Sequence, residues 1–155
     1  MIRQLQKYLQ EGNQVLDVGC GSGILSIVAL KLGAQHVVGT DIDEDCIASS
    51  YDNFAVNHLD KSLGDFYVGN LIDDEALQDK VGKEKYDVVV ANILADIIIP
   101  MAPALAASMK PGAKLITSGI IDFKEQEVAD ALIAAGLQVV ESNAQGEWRN
   151  ITACK

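Results

Sequence analysis

The sequence predicts a doubly wound α/β sheet, mostly parallel and seven-stranded, closed by an antiparallel hairpin. Short apolar runs alternate with segments of helical periodicity over most of the 155 residues, as in a parallel sheet covered by helices on both faces. The first run, Val15–Val18, passes directly through a glycine-rich turn into an apolar helix. The last two runs follow one another with no helical segment between them, which marks a hairpin.

In chain order, Ile2, Leu5 and Leu9 share a helical spacing, and Glu11-Gly12-Asn13 ends that helix. Val15 to Val18 reads as a buried strand, and Ile24 to Leu32 as a hydrophobic helix stopped by Gly33. The second strand runs through Val37 to Ile42. Asp43 is placed to cap a helix carrying Ile47, Tyr51 and Phe54 on one face. A third strand is expected at Phe66 to Leu71, a surface helix and turn within Asp73 to Glu84, and a fully buried fourth strand at Tyr86 to Ile93. Leu94 to Met109 is apolar and helical, but Pro100 and Pro103 blur its start, because proline is comfortable only in a first helical turn. Lys110-Pro111-Gly112 closes it, and Lys114 to Ile121 is the fifth strand. Asp122 to Ala135 is a helix burying Val128, Leu132 and Ala135, with Gly136 beyond. Leu137 to Glu141 and Trp148 to Ala153 form the hairpin, joined by Ser142 to Gly146.

This length and a 49% hydrophobic content suit one domain with one good core. No apolar run reaches the roughly 18 residues of a membrane span, and the first ten residues do not read as a signal peptide. Cys20, Cys46 and Cys154 are odd in number and lack metal-ligand spacing, which favours a reduced, cytoplasmic setting and no metal. A net charge of −10 argues against independent binding of nucleic acid and suits a basic protein partner.

The stretch VLDVGCGSGI, Val15 to Ile24, organises the chemistry. Gly19, Gly21 and Gly23 allow a sharp turn and a close ligand, and the helix start offers free amides suited to a carboxylate or phosphate. The dinucleotide fingerprint places Gly or Ala three residues after its second glycine, where this chain has Ile24, so a nicotinamide cofactor is disfavoured. With Asp17 before the glycines and Asp41 closing the second strand, the stretch resembles the core of class I S-adenosylmethionine-dependent methyltransferases. That resemblance implies that Asp17, Gly19, Cys20, Gly21 and Gly23 surround the methionine part of the cofactor and that Asp41 holds the ribose hydroxyls. Ile42 offers an apolar face for a purine, and Asn70, beside Leu71, an amide for its edge. An aspartate commonly stands at position 70 in that class.

Asn92-Ile93-Leu94-Ala95 closes the fourth strand, where amide and exocyclic amine methyltransferases carry an Asn/Asp-Pro-Pro-aromatic motif. The N-I-L-A form, together with GCGSGILSIVALKLGA, GTDIDEDCIASSYDN, KPGAKLITSGI and Trp148, resembles the PrmA family of ribosomal protein L-eleven methyltransferases over Gln14 to Lys155. The resemblance implies methylation of lysine and α-amino groups of a large-subunit ribosomal protein by S-adenosylmethionine. Asn92, which also borders the cofactor, and the Ile93 carbonyl would accept N–H bonds and aim the amine's lone pair; neither titrates near pH 7, so neither is a general base. Trp148 either lines the acceptor side or serves the hairpin core, and His36 and His58 stand alone. Family members carry a separate amino-terminal substrate-recognition domain. With only a short helix and loop before Val15, Met1–Lys155 is expected to be the catalytic half without it. Methylation of another protein or a small amine, and non-catalytic binding of the cofactor, are the alternatives.

Overall fold

The computed structural model describes all 155 residues. Its strands are β1 (Gln14–Val18), β2 (His36–Asp41), β3 (Gly64–Val68), β4 (Tyr86–Asn92), β5 (Met109–Ile121), β6 (Gln138–Gln145) and β7 (Trp148–Cys154). They form one seven-stranded sheet in the order β3-β2-β1-β4-β5-β7-β6. β1 to β5 are parallel, and β7 runs antiparallel to both β5 and β6. The helices are α1 (Ile2–Tyr8), α2 (Ile24–Lys31), α3 (Glu44–Val56), α4 (Glu75–Val81), α5 (Ala95–Ser108) and α6 (Glu125–Ala134).

Strand alternation sorts the apolar side chains into two cores. Val15, Val37, Val88, Val90 and Ile116 pack under α1, α2 and α3 through Leu5, Leu25 and Phe54. Leu16, Val38, Val89, Ala91 and Leu115 pack under α4, α5 and α6 through Leu77, Ile98 and Leu132. β1 and β4 therefore carry apolar residues on both faces, which is why they read as unbroken hydrophobic runs. The chain winds outward from β1 to β3 and returns to β4 on the other side of β1. That reversal opens a crevice above the carboxyl ends of β1 and β4, the ligand position of doubly wound folds.

Local signals set most boundaries. The Asp43 carboxylate accepts from the Asp45 amide at 2.9 Å and caps α3, as the sequence predicts. Asp74 does the same for α4 through the Leu77 amide. α4 is less of a surface helix than expected, since Leu77 and Val81 are buried.

The helix expected from Asp122 begins at Glu125, after a 3-10 turn over Asp122–Lys124, and four further places depart from the sequence reading. β3 begins at Gly64 and ends at Val68 rather than Leu71, because Gly69 has a φ of +149° and the Asn70 side chain accepts from the Ile72 amide, folding the next residues into a turn. Pro100 and Pro103 lie inside α5, not at its start. Both are exposed, on the side of the helix that carries Asp96, so their rings leave the buried face of α5 undisturbed. β5 begins at Met109: Met109 pairs with Tyr86, Lys114 pairs with Val88, and the residues between bulge outward while Lys110 reaches Asp87 at 2.8 Å. Finally, β6 continues to Gln145, and the hairpin turn is only Gly146-Glu147, with Gly146 at a φ of +61°. Ser142 to Gln145 is polar because this edge strand is exposed there; its backbone pairing with β7 does not depend on burial.

Candidate active site

The glycine turn between β1 and α2 is held from three directions. Gly19 and Cys20 donate their amides to the Thr40 carbonyl on β2, at 2.8 and 3.0 Å, and Gly23 donates to the Cys20 carbonyl. Gly21 donates to Asp41 Oδ2 at 2.9 Å. From α3, the Ser50 hydroxyl donates to the Gly21 carbonyl at 3.0 Å and the Asn53 amide to the Ser22 carbonyl at 2.9 Å. The expectation that these amides are free for an anion is thus corrected for Gly19, Cys20, Gly21 and Gly23, all of which donate within the protein. Ser50 and Asn53 carry no distinguishing signal in the sequence, since Ser49, Asp52 and Asn57 are equally polar neighbours on and beside α3.

Two carboxylates flank this turn in contrasting surroundings. Asp17 is fully buried: Oδ2 accepts from the Ser26 amide and hydroxyl at 3.0 and 2.7 Å, while Oδ1 has no partner. Burial pushes its carboxyl up to about 6, against the opposing effect of the Ser26 hydrogen bonds. Asp41 is half-buried at the end of β2 and accepts from the amides of Gly21 and Asp43, one on each oxygen. Cys20 lies buried under the turn, where desolvation first and the Asp17 charge second push its thiol up to about 12. It is no thiolate nucleophile.

A cleft of about 360 Å³ opens over the strand ends. Its apolar wall comes from Val18, Leu71, Ile72, Ile93, Ile97 and Met101, and its polar edge from Thr40, Asp41 and Asn70. Ile42 and Leu94 stand at its mouth, 75% and 66% exposed. Gly19, Asp41, Ile42, Asn70, Leu71 and Ile93 therefore meet on one surface, as the sequence reading expects. Asp17, Cys20, Gly21 and Gly23 form or underlie the adjoining turn and do not line the cleft. Asn70 Oδ1 already accepts from the Ile72 amide at 3.1 Å, leaving one lone pair for a ligand. Ile97 and Met101, one turn apart on α5, contribute a wall that periodicity alone marks only as core.

Asn92 and Ile93 diverge at the end of β4. Val88 and Val90 point into the α1–α3 core, so alternation sends the exposed Asn92 side chain to that face, whereas Ile93 packs toward the α4–α6 core and the cleft. Asn92 pairs across the sheet with Ser118 on β5. Trp148, 54% exposed, starts β7 opposite Ile121 and belongs to neither core.

No lysine, arginine or histidine lines the cleft, and the acids beside it include one buried carboxylate without a counterion. Such a site suits a ligand bearing positive charge, as the sulfonium and ammonium of S-adenosylmethionine do, and is a poor match for a pyrophosphate.

The whole chain, residues 1–155, matches the family model described as ribosomal protein L11 methyltransferase (PrmA). A ribosomal protein L11 methyltransferase of Agathobacter rectalis is 68% identical, with 99% of this chain and 49% of that protein aligned. One from Lachnospira eligens is 54% identical over 99% of this chain and 48% of its own length. The chain thus spans about half the length of the curated relatives it matches. The crystal structure of a ribosomal protein L11 methylase from Lactobacillus delbrueckii subsp. bulgaricus, 30% identical, superposes with a TM-score of 0.87 over 98% of this chain and 74% of that one. An S-adenosylmethionine-dependent methyltransferase from Aquifex aeolicus shares the fold at 19% identity and a TM-score of 0.80, over 98% and 87% of the two chains. By its full-length match and by this likeness in sequence and fold, the chain belongs to the PrmA family of ribosomal protein L11 methyltransferases.

Proposed function

We infer that this chain binds S-adenosylmethionine in the strand-end cleft and forms the catalytic half of an enzyme that methylates amino groups of ribosomal protein L11, in the cytoplasm where that substrate is made. The observation that carries the reading is the meeting of the glycine turn, Asp41 and Ile93 around one cation-free cleft. Ile42 and Leu71 offer apolar contact to an adenine, the free lone pairs of Asp41 accept from ribose hydroxyls, and the orphaned oxygen of Asp17 lies behind the turn to favour a positive ligand.

The cofactor supplies a methyl group activated on a sulfonium. For that chemistry the acceptor nitrogen would have to be held unprotonated, with its lone pair turned toward the cofactor's side of the cleft by this chain's own residues. Desolvation over the apolar wall lowers the amine's pKa from the ordinary range of about 8 to 10.4. The Asn92 side-chain oxygen and the Ile93 carbonyl accept the remaining N–H bonds and aim the lone pair. Neither takes the proton away.

Calorimetry with S-adenosylmethionine, S-adenosylhomocysteine and NAD tests the cofactor assignment: the first two should bind and the third should not. A methyl-transfer assay on ribosomal protein L11 tests the rest. The 155 residues align with about half of a curated relative, so tested as an isolated polypeptide they should show a kcat/KM lower by orders of magnitude than a full-length relative. Equal rates would place the whole substrate site on this domain, and binding of NAD alone would refute the reading.

A further inference from the structure

Ile93 is gripped between two glycines that belong to different parts of the site. On one side lies Gly19, in the turn after β1; a Cβ there would overlap Ile93 Cγ2. On the other lies Gly119, near the end of β5, where a Cβ would stand 2.7 Å from the Ile93 carbonyl oxygen and 3.2 Å from its carbon. Both glycines have positive φ, +69° and +81°.

The second contact exists because β5 bulges there. Thr117 pairs with Ile151 and Ile120 with Arg149, so Ser118 and Gly119 together oppose the single residue Asn150. The Asn150 side chain, 7% exposed, fills the irregularity by donating to the Thr117 carbonyl at 2.6 Å. The bulge sits at the last rung between β4 and β5, Asn92 opposite Ser118, and so turns Gly119 against the backbone of the next residue, Ile93.

We propose that Gly119 is a positioning residue for methyl transfer: the β5 bulge presses a face without a side chain against the Ile93 peptide and, with Gly19 seating the Ile93 side chain, sets the amine-orienting carbonyl at a fixed offset from the cofactor-holding turn. This rests on the reading above in giving the Ile93 carbonyl its role. An in-line displacement depends on such an offset, since a misplacement of about 1 Å costs on the order of a hundredfold in rate.

Gly112 supplies a matched control. It also has a φ of +81°, lies in β5 far from the cleft, and has open space where its Cβ would be. Gly119→Ala and Gly112→Ala thus both place a Cβ at a φ of +81°, and only the first pushes on Ile93. In the 155-residue chain, Gly119→Ala should move the carbonyl-carbon resonance of Ile93 and the amide resonance of Gly19, keep affinity for S-adenosylhomocysteine within roughly threefold, and lower transfer to an amine at saturating cofactor by about ten- to a hundredfold. Gly112→Ala should leave those resonances and the transfer rate unchanged and keep the same cofactor affinity. If Gly119→Ala does not fold, Gly119→Asn replaces it, since asparagine tolerates the left-handed region while still carrying a Cβ. Resonances in the Gly119 variant that match those of the Gly112 variant overturn the proposal, as does loss of cofactor affinity in step with rate. Should the unmodified chain transfer no methyl group, the functional reading suffers, and the resonances alone still decide the clamp.

Discussion

At the ends of β1 and β2 the rim of the cleft is held by carboxylates, whereas at the ends of β4 and β5 it is held by steric fit. Asp41 accepts the Gly21 amide and Asp17 accepts both donors of Ser26, so the turn and the start of α2 are tied to charged groups. Asn92, Ile93, Ser118 and Gly119, on the other half, carry no group that ionises near neutrality, and their arrangement comes from a bulge and from close approach at glycine. Each half suits its proposed partner. A cationic cofactor is drawn by negative charge, while a neutral amine would be reprotonated beside an acid and is better served by uncharged acceptors.

The largest expected effect comes from the uncharged half. In a full-length relative, the substitution equivalent to Asn92→Ala should lower turnover by about a hundredfold while leaving cofactor affinity nearly unchanged, because amine orientation matters in the transition state. Steady-state kinetics paired with calorimetry reads the split. Equal losses in both would move Asn92 to the cofactor's side of the rim and break the division.

In the charged half, Asp41→Ala should weaken S-adenosylmethionine binding by about 1 to 3 kcal/mol, since it removes acceptors for ribose hydroxyls and also releases the Gly21 amide. Asp41→Asn sharpens the point: it keeps one acceptor oxygen, so it should recover part of the loss. Unchanged affinity in the alanine variant would mean that the steric half alone defines the pocket.

This division also explains what the sequence discloses. Charge and glycine spacing are local signals, so Asp17, the turn and Asp41 were readable as one site, and burial on both faces made β1 and β4 plain as continuous apolar runs. The spent amides of the turn were not readable, because their acceptors, Thr40 and Asp41, arrive from another strand. The same holds for Ile97 and Met101, whose place over the cleft depends on how α5 packs. Gly119 did leave a trace, a lone glycine inside a strand pattern, which marks a bulge or close backbone approach. The interior prolines of α5 obscure the start of that helix in the sequence, because only the packing shows that both sit on its exposed side, away from the core.

The smallest expected effect concerns the buried acid, and its sign separates burial from ion pairing. An unfolded aspartate ionises near about 3.9. In the fold, burial raises Asp17 to about 6, so folding favours its protonated form. The stabilisation from this group is then fully present below about pH 4, is lost as pH rises toward 6, and is absent above that. The shift corresponds to about 3 kcal/mol at most, and relaxation and water entry should reduce it to about 1 to 2 kcal/mol. Asp17→Asn keeps an acceptor for Ser26 and cannot ionise, so its thermal midpoint, compared with that of the unmodified chain between pH 4 and 8, isolates the term. The unmodified chain should lose ground to the variant from pH 4 to 6 and run parallel to it above. A bound cation would reverse the preference: if S-adenosylmethionine occupies the proposed site it should stabilise the carboxylate, so its affinity should rise with pH across the same interval in the unmodified chain and stay flat in Asp17→Asn. Calorimetry in buffers of different ionisation enthalpy would detect the proton released on binding near pH 5. An affinity that falls with rising pH, or no proton release, would show that Asp17 serves only to start α2 and that the charge on this half of the rim is carried by Asp41 alone.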